Sequence, residues 1–262
     1  MKSYPTYLQS FGLLLIFLLC TILSVIVVLP FFSFESGIGM TIIYTLSISL
    51  TIVIALFIRK DFTFPFKWFS PWIVVIGSLA ILCAQLALEP LTNLIPLSDI
   101  VKKMIEETIQ QPIAFFIMAV LAAPLFEELL FRGVILHGLL KNYQPWKAIL
   151  FGAFLFALVH GNLSQGVGAF MGGILMGWIY WKTQSVLPGI LIHLINNLAS
   201  FVGVMLTPEA AIFKSTQEFI GNDLVYTTMV FSCAAMAVGA IWLLHKKYLA
   251  SKGISLNSDT II

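Results

Sequence analysis

The stretch from Pro112 to Lys141, PIAFFIMAVLAAPLFEELLFRGVILHGLLK, is long and apolar yet carries charge near its middle. A helix needs about 20 mostly apolar residues to cross the hydrocarbon core of a bilayer, and this stretch exceeds that length. Ionisable side chains inside such a segment cost roughly 2.5–3.5 kcal/mol each on insertion scales. Glu127, Glu128 and Arg132 therefore indicate a membrane helix that contains a polar site.

The composition of the whole chain indicates a membrane protein. Of the 262 residues, 60% are hydrophobic and 10% are charged, whereas soluble domains have about 25% charged residues. The net charge is only +2. These values exclude a soluble enzyme, a disordered chain and a nucleic-acid-binding protein. Cys20, Cys83 and Cys233 lie far apart inside apolar runs, which predicts packed thiols rather than a zinc site or a disulfide framework.

Eight segments are long and apolar enough, or nearly so, to cross the membrane, which predicts an all-α polytopic membrane protein with about eight transmembrane helices. The predicted spans are Leu8–Phe32, Ile38–Ile58, Pro71–Leu88, Pro112–Lys141, Trp146–His160, Gln165–Trp181, Val186–Leu206 and Leu224–Leu244. The segment Ser98–Gln110 is amphipathic, and it is expected to form a helix either on the outer membrane surface or packed on the protein.

Three regions follow from this order of spans. Residues 1–111 comprise three spans and the amphipathic helix. Residues 112–206 form the core that carries the polar motifs. Residues 207–262 contain the last span and a cytoplasmic tail.

The distribution of lysine and arginine predicts the orientation, because cytoplasmic loops are enriched in both. With eight alternating spans, one side carries both termini and Lys2, Arg59, Lys60, Lys67, Lys141, Lys147, Lys182, Lys246, Lys247 and Lys252. The opposite side carries Lys102, Lys103 and Lys214. We expect an integral, multi-pass protein of the plasma membrane with both termini in the cytoplasm.

The two acids of the fourth span have different neighbours. Glu128 and Arg132 are four residues apart with the acid first, which favours an ion pair within one helix. Glu127 lies about 100° further round the helix. One carboxylate is therefore neutralised within its own helix, and the other needs partners from elsewhere.

Polar residues of two other predicted spans reach a similar depth. His193 and Asn197 are four residues apart on the seventh span, and His160 ends the fifth. At about 1.5 Å per residue, these groups and Glu127 lie roughly 12–21 Å from the cytoplasmic ends of their helices. We therefore expect the four side chains to converge.

A carboxylate and two imidazoles around one point can hold and deprotonate a water molecule in a water-poor pocket. A nearby asparagine amide can donate to an oxyanion. The same carboxylate and imidazoles are also a possible zinc ligand set with one open position. The His-Glu-x-x-His motif is absent from the sequence, and no serine or cysteine has the setting of a nucleophile. Metal-free and zinc-assisted hydrolysis both stay open at this point.

Three motifs, in order on successive spans, resemble those of the CPBP family, the CAAX-protease and bacteriocin-processing membrane proteins also called the Abi family. The family pattern EExxxR, FxxxH, HxxxN reads here as Glu127-Glu128…Arg132, Phe156…His160 and His193…Asn197. The resemblance covers about Pro112 to Leu206. It implies an eight-helix intramembrane endopeptidase with a CAAX-prenyl-endopeptidase-like bundle.

The resemblance also implies a role for each motif residue. The first glutamate would activate water, the two histidines would help to hold it, and the asparagine would stabilise the oxyanion. These roles carry over to Glu127, His160, His193 and Asn197, with Glu128 and Arg132 as supports. A glutamate-type mechanism requires no cofactor, while zinc stays possible. The expected partners are the lipid bilayer and a membrane-associated peptide or protein substrate.

Two other functions stay open. A non-catalytic bacteriocin self-immunity or membrane scaffold protein would bind a peptide in the same cavity. A proton-coupled transporter also uses buried glutamate and histidine. The transporter is the weaker alternative, because the interiors of the first three spans lack ionisable residues and no inverted repeat of broken helices is visible.

Overall fold

The computed structural model describes residues 3–33 and 35–251. Within that part of the chain it contains ten helices, a further 3-10 turn at Glu209–Ala211 and no strand. The helices are α1 Tyr7–Val28, α2 Gly37–Arg59, α3 Trp72–Thr92, α4 Asp99–Ile109, α5 Pro112–Asn142, α6 Pro145–Leu158, α7 Leu163–Thr183, α8 Leu187–Leu206, α9 Thr216–Ile220 and α10 Asp223–Ser251. The predicted all-α class is confirmed. Lys2, Lys252 and the part of the predicted cytoplasmic tail beyond Ser251 lie outside the described residues.

Fewer helices meet the length and composition of a membrane span than the approximate eight expected. In the described ranges, six helices are long and apolar enough to cross a membrane, namely α1, α2, α3, α5, α8 and α10. Helix α6 has only 14 residues, and α7 has 21 residues but is rich in glycine and polar side chains. These two helices pack against each other across a short connection. A hairpin of this kind begins and ends on the same side of the bilayer, so the predicted orientation of the flanking spans does not change.

Helix α1 shows how the long helices divide their surface. Leu15, Leu19 and Ile26 are each more than half exposed, as a lipid-facing surface requires. Ser10 and Ser24 are fully buried, and each hydroxyl donates to the backbone carbonyl four residues earlier. These two buried hydroxyls of α1 are thus satisfied by the backbone of the same segment. The three cysteines are buried and unpaired, as predicted.

Glu89 fastens α3 to the last part of the chain. Its carboxylate accepts hydrogen bonds from the Tyr226 hydroxyl, from the Asn93 side-chain amide at 2.7 Å and from the Thr216 backbone N–H at 2.8 Å. Helix α3 ends at Thr92, beyond the end predicted at Leu88, so Glu89 lies in its last turn. Because α3 and α10 also pack against each other, the first and last parts of the chain form one bundle.

Helix α5 departs from regular α-helical hydrogen bonding. Its backbone follows the wider π-helical pattern over Phe116–Ala122 and Leu129–Leu136, with α-helical turns between them. A widened turn leaves carbonyls available to other donors. In the second π segment, the Arg59 guanidinium at the end of α2 donates to the Gly133 carbonyl at 2.9 Å.

Gly173 brings α7 close to α6. A methyl group at this position would lie 2.9 Å from the Cβ and 3.0 Å from the Cα of Ala153, so only glycine permits the observed approach. Small residues at such positions let membrane helices pack closely. The approach also presents the Gly173 carbonyl to α5.

Candidate active site

The polar side chains expected to form a site come from three places in the bundle. Glu127 and Glu128 lie on the α-helical turns between the two π segments of α5. His193 and Asn197 lie on α8, which packs against this part of α5 and against α3. His160 lies just beyond the end of α6, at the tip of the α6–α7 hairpin.

Glu128 and Arg132 form a buried ion pair. Arg132 Nη1 donates to Glu128 Oε1 at 2.7 Å, and the two side chains are 3% and 0% exposed. Arg132 Nη2 also donates to the Gly173 carbonyl at 3.4 Å, and its guanidinium lies 4.6 Å from the ring centroid of Phe156. Residues of α5, α6 and α7 thus hold the Arg132 guanidinium. Its pairing with Glu128, four residues earlier, is the ion pair that the sequence predicted.

His193 is oriented by the same carboxylate. Its Nδ1 lies 3.2 Å from Glu128 Oε1. A carboxylate oxygen only accepts, so the Nδ1 of a neutral His193 carries the proton and Nε2 carries a lone pair. This arrangement fixes both the tautomer and the direction of the ring.

Gly189 allows α8 to approach the ion pair. A methyl group there would lie 2.5 Å from Glu128 Oε2. The Glu128 carboxylate therefore packs directly against the backbone of α8. A side chain at this position would displace the Glu128 carboxylate from the ion pair.

Glu127 has one oxygen fixed and the other without a hydrogen bond. The Tyr44 hydroxyl of α2 donates to Oε1 at 2.7 Å. Oε2 is buried and has no hydrogen-bond partner among the residues that the structure describes. It lies 3.9 Å from Nε2 of His193. Since Oε2 and Nε2 are both acceptors, a water molecule that donates one O–H to each would satisfy both atoms.

His160 is connected to the site through Phe156. Its Nδ1 lies 2.8 Å from the Phe156 carbonyl, so Nδ1 donates and Nε2 is the ring nitrogen left for other contacts. The rings of His160 and His193 both pack edge-on against the Phe156 ring, with centroids 5.0 and 5.8 Å away. Over residues 3–33 and 35–251 there is no direct polar contact between His160 and Glu127.

Asn197 donates through Nδ2 to the Ala119 carbonyl at 2.8 Å. This carbonyl has no donor within its own helix. The N–H of Ala123 bonds to the carbonyl five residues earlier, and Pro124, which would be the next donor in that pattern, has no N–H. One N–H of the Asn197 amide therefore satisfies the backbone of α5, and the second is left for a ligand.

Zinc, which the sequence left open, does not fit the donor set. In the described part of the chain, no group of three or more His, Cys, Asp and Glu side chains is arranged to hold a metal ion. Glu128 Oε1 already accepts from Arg132 and His193. The arrangement suits acid–base chemistry by the Glu127 carboxylate.

Tyr44 is the site residue that the sequence did not reveal. It lies on the second predicted span, whose interior lacks ionisable residues, and the motifs that indicated the site lie between Pro112 and Leu206. A signal was nevertheless present, because Tyr44, Ser47 and Thr51 recur at the spacing of one face of α2. Ser47 and Thr51 are fully buried, so this face lies inside the bundle.

A comparison with known protein families supports the same region. The family model described as type II CAAX prenyl endopeptidase Rce1-like matches residues 109–199. The match covers 91 of the 262 residues. The Rce1-like match confirms the resemblance predicted from the three motifs, which lie within it. No curated protein and no solved structure matches the chain.

Two coarse conclusions follow from the Rce1-like match together with the apolar helices. The chain is an integral, multi-pass membrane protein. The family supports a protease-type enzyme. Tyr44 lies on α2, outside the Rce1-like region, so the site extends beyond the matched segment.

Replacing Arg132 by methionine should lower the free energy of unfolding by about 3–5 kcal/mol, because Glu128 would keep a buried charge without its cation. The double variant Glu128→Gln/Arg132→Met removes both charges and should regain most of this loss. Denaturant unfolding of the detergent-solubilised protein measures both values. A double variant that is less stable than Arg132→Met alone would contradict this account of the pair.

Proposed function

We propose that the protein is an intramembrane endopeptidase in which Glu127 activates a water molecule that hydrolyses a peptide bond. The observation that carries the proposal is the position of Glu127 Oε2, which is buried, lacks a hydrogen bond and lies 3.9 Å from His193 Nε2. A buried polar atom without a partner costs free energy. A water molecule that donates to both atoms removes this cost and is held by two bases.

The reaction then follows from ordinary acid–base chemistry. Glu127 Oε2 removes one proton from the water molecule as the water oxygen adds to the carbonyl carbon of the peptide bond. The carbonyl oxygen becomes an oxyanion. Glu127 returns the proton to the leaving nitrogen as the C–N bond breaks, and the products are a carboxylic acid and an amine. No step needs a metal ion or a cofactor.

The neighbouring groups hold the base and the water in place. The Tyr44 hydroxyl fixes Glu127 Oε1, so the carboxylate cannot rotate freely. Glu128 holds the Nδ1 proton of His193, so its Nε2 accepts from the water. Arg132 keeps Glu128 ionised within a site from which bulk water is excluded. These three residues act through others and are positioning groups.

The oxyanion needs a donor, and two candidates are available. The second N–H of the Asn197 amide is the first, because the first N–H already binds the Ala119 carbonyl and fixes the plane of the amide. His160 Nε2 is the second candidate when the ring is protonated, because Nδ1 already donates to the Phe156 carbonyl. We assign Asn197 to the oxyanion and His160 to water or substrate.

The substrate class follows from the location of the site. The motif helices are apolar and membrane-embedded, so the scissile bond must itself enter the bilayer. We propose a membrane-associated peptide or protein tail, the class to which CAAX-type tails belong. The core of residues 112–206 supplies the base, the histidines and the amide, and residues 1–111 supply Tyr44.

The decisive test replaces Glu127 by glutamine. Cleavage by the purified protein of a panel of quenched-fluorophore peptides, prenylated and unprenylated, should fall by about 10²–10⁴-fold, the usual contribution of a general base. Glu107→Gln makes the same change on α4, where the side chain pairs with Lys103, and should leave cleavage unchanged. Activity should persist with a chelator.

Two outcomes would contradict the mechanism. If a folded Glu127→Gln variant cleaved at the wild-type rate, Glu127 could not be the general base. Binding of panel peptides with no cleavage by the wild-type protein would favour the immunity or scaffold alternative. Thermal unfolding of each variant in detergent establishes that it is folded.

Tyr44→Phe should lower the rate constant of cleavage about tenfold and leave KM nearly unchanged, because it removes one hydrogen bond to the charged base. Tyr226→Phe is the matched control, since it removes a tyrosine–glutamate hydrogen bond at Glu89 instead. That variant should lose stability without losing rate per folded molecule. Equal loss of rate in both variants would show that Tyr44 acts only on stability.

We also propose that the protein lies in the plasma membrane with both termini in the cytoplasm, on the basis of the lysine and arginine asymmetry. Lys60 and Lys103 are exposed and lie on opposite predicted sides. In intact cells, Lys103→Cys should react with a membrane-impermeant maleimide, and Lys60→Cys should react only after permeabilisation. The reverse pattern would invert the topology.

A further inference from the structure

A second cavity lies between the beginning of α3, the end of α7 and the end of α10. Its volume is about 280 Å³, and it is partly open to the surroundings. The inner wall is apolar and includes Ile76, Trp178, Ile179 and Leu244, whereas Lys182 and Lys247 also line the space. None of its lining residues belongs to the site around Glu127, so the cavity is a separate feature of the bundle.

The two lysines of this cavity have aromatic rather than acidic neighbours. The Lys182 ammonium lies 3.6 Å from the ring centroid of Trp181, and the Lys247 ammonium lies 4.6 Å from that of Trp72. The ion pairs found in the described residues involve other side chains. A cation–π contact orients an ammonium without neutralising it. Among residues 3–33 and 35–251, no carboxylate pairs with either lysine, so two positive charges lie beside an apolar space.

We propose that this cavity binds one anionic phospholipid. The phosphate would lie between Lys182 and Lys247, and an acyl chain would cover the apolar wall along Ile76 and Ile179. Basic pockets between membrane helices have the chemistry that anionic headgroups require. An uncharged apolar molecule would leave both ammonium groups uncompensated, and free phosphate would leave the apolar wall uncovered.

The exposed aromatic residue at the cavity supports a place at the lipid–water boundary. Trp72 is 58% exposed and lies at the start of α3. Tryptophan is enriched at the headgroup level of bilayers, where its ring is apolar and its N–H is wet. A headgroup between the lysines would lie at that level. The bound lipid would contact three helices at once and so stabilise their packing.

Native mass spectrometry of the purified protein tests the proposal. Protein incubated with equal amounts of phosphatidylglycerol and phosphatidylcholine should retain one phosphatidylglycerol. Lys182→Gln and Lys247→Gln should each weaken its binding about fivefold, and the double variant about thirtyfold. Lys246→Gln is the matched control, because its ammonium lies over Trp242 at 5.0 Å and does not line the cavity. It should bind as the wild type does.

Two further arms separate the lipid from other ligands. Ile76→Trp should fill the apolar part and reduce binding even though both lysines remain. Inorganic phosphate at the same concentration should not displace the lipid. Equal retention of the two lipids by the wild type, an unchanged preference in the double lysine variant, or displacement by inorganic phosphate would each overturn the proposal. None of these readouts depends on proteolysis.

Discussion

The ion pair between Arg132 and Glu128 is the constraint on which the rest of the site depends. A guanidinium cannot lose its proton in a protein, so a buried arginine must have a permanent anion beside it. That requirement keeps Glu128 ionised and makes its Oε1 a fixed acceptor. The same oxygen then sets the proton on Nδ1 of His193. The orientation of α8 relative to α5 follows, with Gly189 permitting the contact.

The irregular backbone of α5 has a related consequence for Asn197. Because Pro124 has no N–H, the widened turn leaves the Ala119 carbonyl without a helical donor, and the Asn197 amide supplies one. The residue therefore has a structural contact whatever it does during catalysis. Loss of activity on replacing Asn197 would not by itself identify an oxyanion donor. Only its second N–H bears on the reaction.

The sequence predicted the features that depend on local spacing and missed those that depend on backbone geometry. The long apolar helices and the pair four residues apart follow from helical periodicity, and the structure contains both. The π segments could not be predicted from the spacing of apolar side chains. Equal depth in the bilayer also did not determine contact, because His160 bonds to its own helix. Tyr44 was missed because its role depends on a hydroxyl rather than a charge.

The two neighbouring carboxylates have different surroundings, and this difference separates their roles. Glu128 accepts from a guanidinium and an imidazole through Oε1, whereas Glu127 accepts from the Tyr44 hydroxyl through its own Oε1. Both carboxylates keep Oε2 without a hydrogen bond among the described residues, and that of Glu127 lies 3.9 Å from His193 Nε2. Two neighbouring carboxylates in different environments can have different roles, one structural and one chemical. Because Tyr44 comes from residues 1–111 and Glu127 from residues 112–206, neither region completes the site alone. The first spans are therefore part of the proposed catalytic unit, beyond the segment that family comparison matches.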